Sequence, residues 1–386
     1  AQENTNAGSF HNIRSLLQII VATTLLIESI GAILLSLRFV PKYGAHGVWV
    51  AIFTSVSAYC NAGFDILGNE TPFGSLIHYN GDVIVLYTVM ALIFLGGIGF
   101  MVFQDLFSWR RHRHLMLHTK AMLLMSAALI AGGFLVFLVV EFDNPNTLGA
   151  LPLFQKLNAA LFQSVSARTA GFASIDLSKM YDFSKVMMIF LMVIGAGSGS
   201  CAGGIKVTTF LVLMMTVVSV IRGRDDTVVL GRRVPKRTVY KSMTIAALGF
   251  AAVILLGSVL LMLPCSIQDG VTVRYIDALY TSTSAVCVTG LIAVDAGDTF
   301  TPLGQFFLGM LIQVGGLGVT AVGAGVILAM GKKVNMKGRN IIREAMNLDS
   351  GKGTVRFIQS VFLTTITFEL VGAALSFIVF VQDYPP

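Results

Sequence analysis

The sequence predicts an all-α polytopic membrane protein. Its units are a helix, a short re-entrant pore helix and a second helix (M1–P–M2), repeated around a central pore. Three observations carry this. Of the 386 residues, 55% are hydrophobic and 12% charged, where a soluble domain has about 25% charged, and mean hydropathy is +0.79. Apolar runs long enough to cross a bilayer recur along the chain. Between them, one short motif of small residues appears three times.

The apolar runs lie near 16–38, 82–104, 120–141, 185–220, 242–263, 303–330 and 355–381. Each is predicted helical, because hydrocarbon offers the backbone no hydrogen-bond partner. The net charge of +7 is gathered into three loops between runs, 109–120, 222–241 and 331–344. That is the positive-inside pattern, and it places these loops in the cytoplasm of a multi-pass protein of the cytoplasmic (inner) membrane. With lipid as the surrounding partner, the charge does not point to nucleic acid. Cys60, Cys201, Cys265 and Cys287 show no paired spacing, so neither a metal site nor a disulfide framework is expected. The polar start, AQENTNAGSFHNIRS, has no signal-peptide layout and no initiator Met, and reads as trimmed.

The repeated motif is SVSAYCNAGF (55–64), SVSARTAGF (164–172) and TSTSAVCVTGL (281–291). Each copy leads to a glycine: Gly63, Gly171 and Gly290. Each is followed by a span with its own glycine cluster, LGGIGF (95–100), IGAGSGS (194–200) and VGGLGV (314–319). The predicted units are 16–108, 118–222 and 240–331. The basic loops fall between them, so the short helices dip in from outside. At 13 to 15 residues such helices reach about halfway through the hydrocarbon. A lone first helix, 355–381, repeats the first span at an offset of 341: Gln18, Thr23, Glu28 and Gly31 match Gln359, Thr364, Glu369 and Gly372.

Irregular backbone at membrane depth is tolerated where it lines a cavity or is buried in protein. Glycine allows a turn there without a side-chain clash, and rings of carbonyls can replace the water shell of a cation. The sequence therefore points to a filter built from Cys60, Asn61, Ala62 and Gly63, from Thr169, Ala170 and Gly171, and from Cys287, Val288, Thr289 and Gly290. The competing reading is that these glycines only let helices approach closely. Residues 185–220 as one helix would run about 50 Å, against a core of roughly 30 Å. A break is expected at 195–204, where five of ten residues are glycine. Gly195, Gly197, Gly199, Ser200, Gly203, Gly204 and Lys206 form a candidate gating loop. Lys206 facing lipid would cost about 2.5–3.5 kcal/mol, so it should face protein, water or the pore. A plain kink with Lys206 reaching an interface is the alternative. The loop has neither GxGxxG nor GxxxxGK[ST] spacing, which excludes a nucleotide site.

Glu28 and Glu369 lie inside spans and serve either function or a helix–helix hydrogen bond. Arg168 is expected to brace its turn rather than touch an ion. The histidines near 112–118 belong to a basic loop, and the sequon at Asn69 reads as accidental. The chain is not expected to be an enzyme, since no cluster of His, Cys or carboxylates shares one membrane depth.

CNAGF, SARTAGF, DNPNTLG, GAGSGSCAGGIKVTTF and SAVCVTGL together resemble the ion-translocating subunit of the Trk/Ktr/HKT potassium transporters, the bacterial Ktr type above all. The resemblance implies four units around one potassium pathway, with filter glycines at Gly63, Gly171 and Gly290. It also implies a gate at 195–206, although GSCAGGIK departs from the family's serine/threonine-glycine run. It implies potassium as transported ion, with sodium as a possible coupling or activating ion. No covalently bound cofactor is implied. The implied partners are a second copy of the chain, in a homodimer, and a cytosolic nucleotide-binding regulatory ring. The unit order differs: here the NAGF unit comes first and the VTGL unit third, and 232–248 resembles the entry to the family's fourth unit. The expectation is then that the chain alone does not conduct, leaving a non-conducting, transporter-derived fragment or scaffold subunit as the alternative function.

Overall fold

The computed structural model describes residues 10–67, 74–223, 226–236, 239–240, 243, 249–317 and 354–383. The predicted basic loop 331–344, the sequon at Asn69, and the parts of the predicted unit 240–331 at 244–248 and 318–331 lie outside the described residues. The chain is helical almost throughout, as lipid requires. Helix α1 (Phe10–Tyr43) leads to the short helix α2 (His46–Tyr59), then to α3 (Val83–Ile98) and α4 (Phe100–His112). Helix α5 (Leu117–Glu141) is followed by the short α6 (Leu153–Ser166), and α7 (Asp182–Val193) by α8 (Val207–Ile221). A two-stranded hairpin, β1 (Val228–Val229) and β2 (Arg232–Arg233), lies in the basic loop. Then come α9 (Ala252–Leu261), α10 (Tyr275–Val286), the single turn α11 (Ala296–Thr299), α12 (Pro302–Leu317) and α13 (Thr354–Asp383).

Among the described residues, α5 and the part of α1 from Gln18 to Tyr43 are each long and apolar enough to cross a membrane. Their outer faces are apolar too: Leu26 is 61% exposed and Val139 74%. Helix α13 presents Phe368 at 75% exposure. Large apolar side chains facing outward along whole helices fit a hydrocarbon surround.

One set of contacts recurs three times and explains why small residues sit where they do. The hydroxyls of Ser55, Ser164 and Ser282, on α2, α6 and α10, donate to the carbonyls of Glu28, Ile130 and Ile254 on α1, α5 and α9, at 2.7–2.8 Å. Three residues further along each long helix, on the same face, stands a glycine: Gly31, Gly133 and Gly257. A Cβ on any of them would overlap the serine oxygen and a leucine of the next helix, Leu92, Leu191 or Leu311. The glycines thus let each short helix lie against its long neighbour, and the buried hydroxyls find acceptors, which a low-dielectric interior demands.

The predicted span 82–104 is not one straight helix. It bends by 94° between α3 and α4. The pivot is Gly99, at φ +85° and ψ 148°, a conformation essentially reserved for glycine. A Cβ there would strike the carbonyl of Ser198.

An ion-pair network joins α7 to α10. Lys185, 1% exposed at its side chain, donates to Asp277 Oδ1 at 2.6 Å and to the carbonyl of Ser178 at 3.1 Å. Arg274 reaches Asp277 and Asp182, both at 2.9 Å. Removing one partner of a buried pair costs ~3–5 kcal/mol. Because Arg274 still neutralises Asp277, Lys185→Ala is expected to lose about 3 kcal/mol, at the low end of that range. Urea unfolding in detergent checks this; a loss no larger than that of a surface lysine would contradict it.

Candidate functional site

The three glycine motifs come together at one place. Each short helix ends in the same way. Asn61 (φ +52°), Thr169 (φ +64°) and Val288 (φ +53°) are left-handed, and two residues on stand Gly63 (φ +73°), Gly171 (φ +89°) and Gly290 (φ +82°). Two residues of positive φ, one residue apart, make a tight reversal that L side chains disfavour. Each reversal is tied down by its own serine. Ser57, Ser166 and Ser284 donate to the carbonyls of Phe64, Phe172 and Leu291, just beyond each glycine, at 2.7, 2.5 and 2.9 Å.

The residue before each glycine contributes the carbonyl that matters. A Cβ on Gly63 would lie 2.7 Å from Ala170 O and 2.5 Å from the Cα of Gly171. One on Gly171 would overlap Thr289 O and lie 3.5 Å from Ala62 O, and one on Gly290 would also lie 3.5 Å from Ala62 O. The oxygens of Ala62, Ala170 and Thr289 therefore border the same small space, and bare glycine backbone keeps it open. The hydroxyls of Thr169 and Thr289 are buried beside it without a protein partner. Cys60 and Cys287 close their short helices one turn back, donating N–H to Val56 O and Thr283 O at 2.9 Å.

Residues 195–206 form a loop that reaches all three turns. Its neck is sealed by a parallel bridge between Ile194 and Ile205. Gly195 N–H donates to Ile205 O at 3.0 Å, Ile205 N–H to Val193 O at 2.8 Å and Val207 N–H to Ala196 O at 3.1 Å. The glycine cluster after the first turn holds the loop's body: Gly197 N–H donates to Gly97 O at 2.8 Å and Cys201 N–H to Gly96 O at 3.4 Å, while Phe100 N–H donates to Gly199 O at 3.3 Å. Gly203 packs against the carbonyl of Cys287 in the third turn. Arg168, in the second turn, donates from Nη2 to Gly195 O at 3.1 Å and to Ser126 Oγ at 3.2 Å. Ser200 Oγ donates to Gly197 O at 2.7 Å. Lys206 folds back so that Nζ donates to Ala202 O at 2.6 Å. Gly204 (φ +68°) and Gly199 (φ +71°) make the bends.

A cavity of about 1120 Å³ opens between the first turn, this loop and the third turn, with Cys60, Ser200, Lys206 and Gly290 on its wall. Among the described residues no cluster of three or more His, Cys, Asp or Glu is placed to hold a metal.

A sequence model of the TrkH family, described as cation transport protein, matches residues 2–266, well over half of the chain. The chain belongs to this family. Its members are transport proteins, not enzymes. The third turn, at Gly290, lies beyond the matched residues, so its likeness to the other two rests on geometry. Ktr system potassium uptake protein B of Bacillus subtilis is 37% identical over 246 residues, 64% of this chain and 54% of that protein. Potassium/sodium uptake protein NtpJ of Enterococcus hirae is 37% identical over 245 residues, 63% of this chain and 53% of that protein. The chain spans about half the length of these relatives. The crystal structure of the potassium transporter TrkH from Vibrio parahaemolyticus superposes with a TM-score of 0.59 at 18% identity, covering 81% of this chain and 64% of that one. That likeness is one of fold: an all-α polytopic membrane protein with pore helices.

Sequence reasoning missed three things at the site. It noted LGGIGF only as a glycine cluster after the first motif, whereas the carbonyls of Gly96 and Gly97 hold the loop. Nothing in the sequence pairs Lys185 with Asp277, which are 92 residues apart. Nor does spacing bring Cys60 to Cys201.

Proposed function

We propose that the chain carries potassium into the cell across the cytoplasmic membrane. In this reading the three turns are the selectivity filter and residues 195–206 the gate. The observation that carries the proposal is the meeting of the carbonyls of Ala62, Ala170 and Thr289 around three bare glycines. Oxygens fixed at such a point replace the water that a potassium ion sheds. No carboxylate is needed, and selectivity comes from the size and number of the carbonyl positions. The recurring serine–glycine contacts support the division into units 16–108, 118–222 and 240–331, with 355–381 as a further first helix. Sodium as a second, coupling or activating ion is supported by the potassium/sodium name of one relative.

The gate assignment rests on position. The loop lies against all three turns, and Lys206 brings a cation to the wall of the cavity beside them. An ammonium there opposes a passing cation until the loop moves.

A second reading, a transporter-derived subunit that does not conduct by itself, is favoured by the cavity: among the described residues its wall includes Cys60, the loop and the third turn, and no fourth turn of this kind. One experiment separates the two. The 386-residue chain is placed in liposomes and rubidium influx is measured. Selective influx supports the first reading. Background influx that becomes selective on adding a complete fourth unit supports the second, and background influx in both cases refutes the filter assignment.

A second copy and a cytosolic nucleotide-binding ring are the proposed partners, the ring docking on the basic loops. Charge reversal at Arg110, Arg111 and Arg113 is then expected to release the ring in pull-downs from membranes. Undiminished capture would reduce those charges to setting orientation.

A further inference from the structure

Two thiols meet where the first turn faces the loop. Cys60 closes the first short helix and Cys201 stands at the tip of the loop; both are exposed to the same cavity. The two thiols line it together with Asn61 and Ser200, their chain neighbours. The backbone brings them there independently: Cys201 N–H donates to Gly96 O, and Gly96 itself is pressed against the carbonyl of Tyr59, the residue before Cys60. Around the pair stand one acid and one base. Cys60 Sγ lies 3.8 Å from Glu28 Oε1, and Lys206, held on Ala202 O, the carbonyl of the residue after Cys201, lines the same cavity. The remaining thiols are placed differently: Cys287 is buried and Cys265 lies on the loop after α9.

We propose that Cys60 and Cys201 are a redox-sensitive pair, joined by a peroxide-class oxidant into a disulfide that clamps the loop 195–206 against the first turn. The thiolate of Cys201 attacks one peroxide oxygen. The O–O bond breaks, the other oxygen leaves as water after taking a proton, and Cys201 becomes a sulfenic acid. Cys60, giving its proton to Glu28, attacks that sulfur. The S–O bond breaks as the S–S bond forms, and the departing hydroxide takes the proton from Glu28 as a second water. Two thiols and one peroxide thus become one disulfide and two waters. A thiol reductant reverses the change by exchange.

The consequence is mechanical. In the reduced state the loop tip is held by one long backbone hydrogen bond, at 3.4 Å, from Cys201 N–H to Gly96 O on α3, which packs on the residue before Cys60. A disulfide adds a covalent tether, fixing the two Cα atoms within about 4.4–6.8 Å of each other. Only the effect on flux rests on the gate reading.

The test uses the full chain in membranes. It is exposed to hydrogen peroxide, denatured and labelled with a PEG-maleimide that adds one mass step per free thiol. The reduced chain is expected to take four labels, one for each of its 4 cysteines, and the oxidised chain two, with dithiothreitol restoring four. Cys201→Ser should take three before and after oxidation, and Cys60→Ser three before and two after, its Cys201 left as a sulfenic acid with no thiol to resolve it. Peptide mapping should give a Cys60–Cys201 linkage, and hydrogen exchange at 196–204 should slow on oxidation. Four labels after oxidation, or a linkage through Cys265, overturns the pair. Rubidium influx that falls several-fold and recovers with dithiothreitol supports pair and gate together. A verified linkage with slowed exchange and unchanged influx keeps the pair and refutes the gate.

Discussion

Gly171→Ser abolishes potassium-selective uptake while the protein still folds and reaches the membrane: this is the largest effect expected of a single substitution. A Cβ at this position overlaps the carbonyl oxygen of Thr289 and stands 2.8 Å from the Cα of Gly63. Both neighbours are backbone, so neither can rotate aside. The φ of +89° adds strain for any L side chain. The cost falls on the placement of the carbonyls rather than on the helical scaffold, which is tied by Ser55, Ser164 and Ser282. Shifting an ion site by ~1.4 kcal/mol is a tenfold change in affinity, and at least that is expected in rubidium uptake or in its ratio to sodium. Position 290 gives an internal control. A Cβ there meets nothing nearer than Ala62 O at 3.5 Å, so apart from its own φ strain Gly290→Ala should be milder than Gly171→Ala. The assay is rubidium and sodium uptake by a bacterium lacking its own potassium uptake, with expression checked by blot. Equal selectivity in the Gly171 variant, or a reversed order of severity, contradicts the filter assignment.

Removing residues 197–203 is expected to raise influx and free it from regulation. The geometry makes this deletion gentle. The neck stays closed by the Ile194–Ile205 bridge and by the bond from Val207 to Ala196. Gly204 already lies against Gly195, a Cβ on it standing 3.1 Å from the Gly195 Cα, so joining Ala196 to Gly204 spans little distance. What goes is the segment docked on Gly96 and Gly97 and packed on Cys287. A cation path beneath the turns is then unobstructed. Arg168 keeps its bond to Gly195 and should keep the second turn in place. Influx at the parental rate from a well-expressed deletion variant would make the loop a structural kink.

The sequence showed the helical spans because lipid leaves apolar residues nowhere else to go. It also showed the three reversals, because a hydroxyl-rich stretch ending in glycine has few other uses at membrane depth. The break was legible because 185–220 is too long for one span and five of the ten residues 195–204 are glycine. What stayed hidden depended on pairs distant in sequence. Gly96, Gly97 and Gly99 look like any small-residue helix face, so neither the 94° bend nor the docking of the loop could be read from them. Ser55, Ser164 and Ser282 were visible as a repeat, but their acceptors on α1, α5 and α9 lie 27–34 residues away. Lys185 stands at the start of the predicted span 185–220. Its reason, Asp277, belongs to a different helix pair.

The central claim is that the carbonyls of Ala62, Ala170 and Thr289 bind the transported ion. A crystal of the protein grown in thallium, a potassium mimic with strong anomalous scattering, tests it most directly. A peak within coordination distance of those oxygens, lost when potassium replaces thallium and weakened in Gly171→Ser, is the expected result. Thallium bound elsewhere in the protein, with none at the three turns, would contradict it.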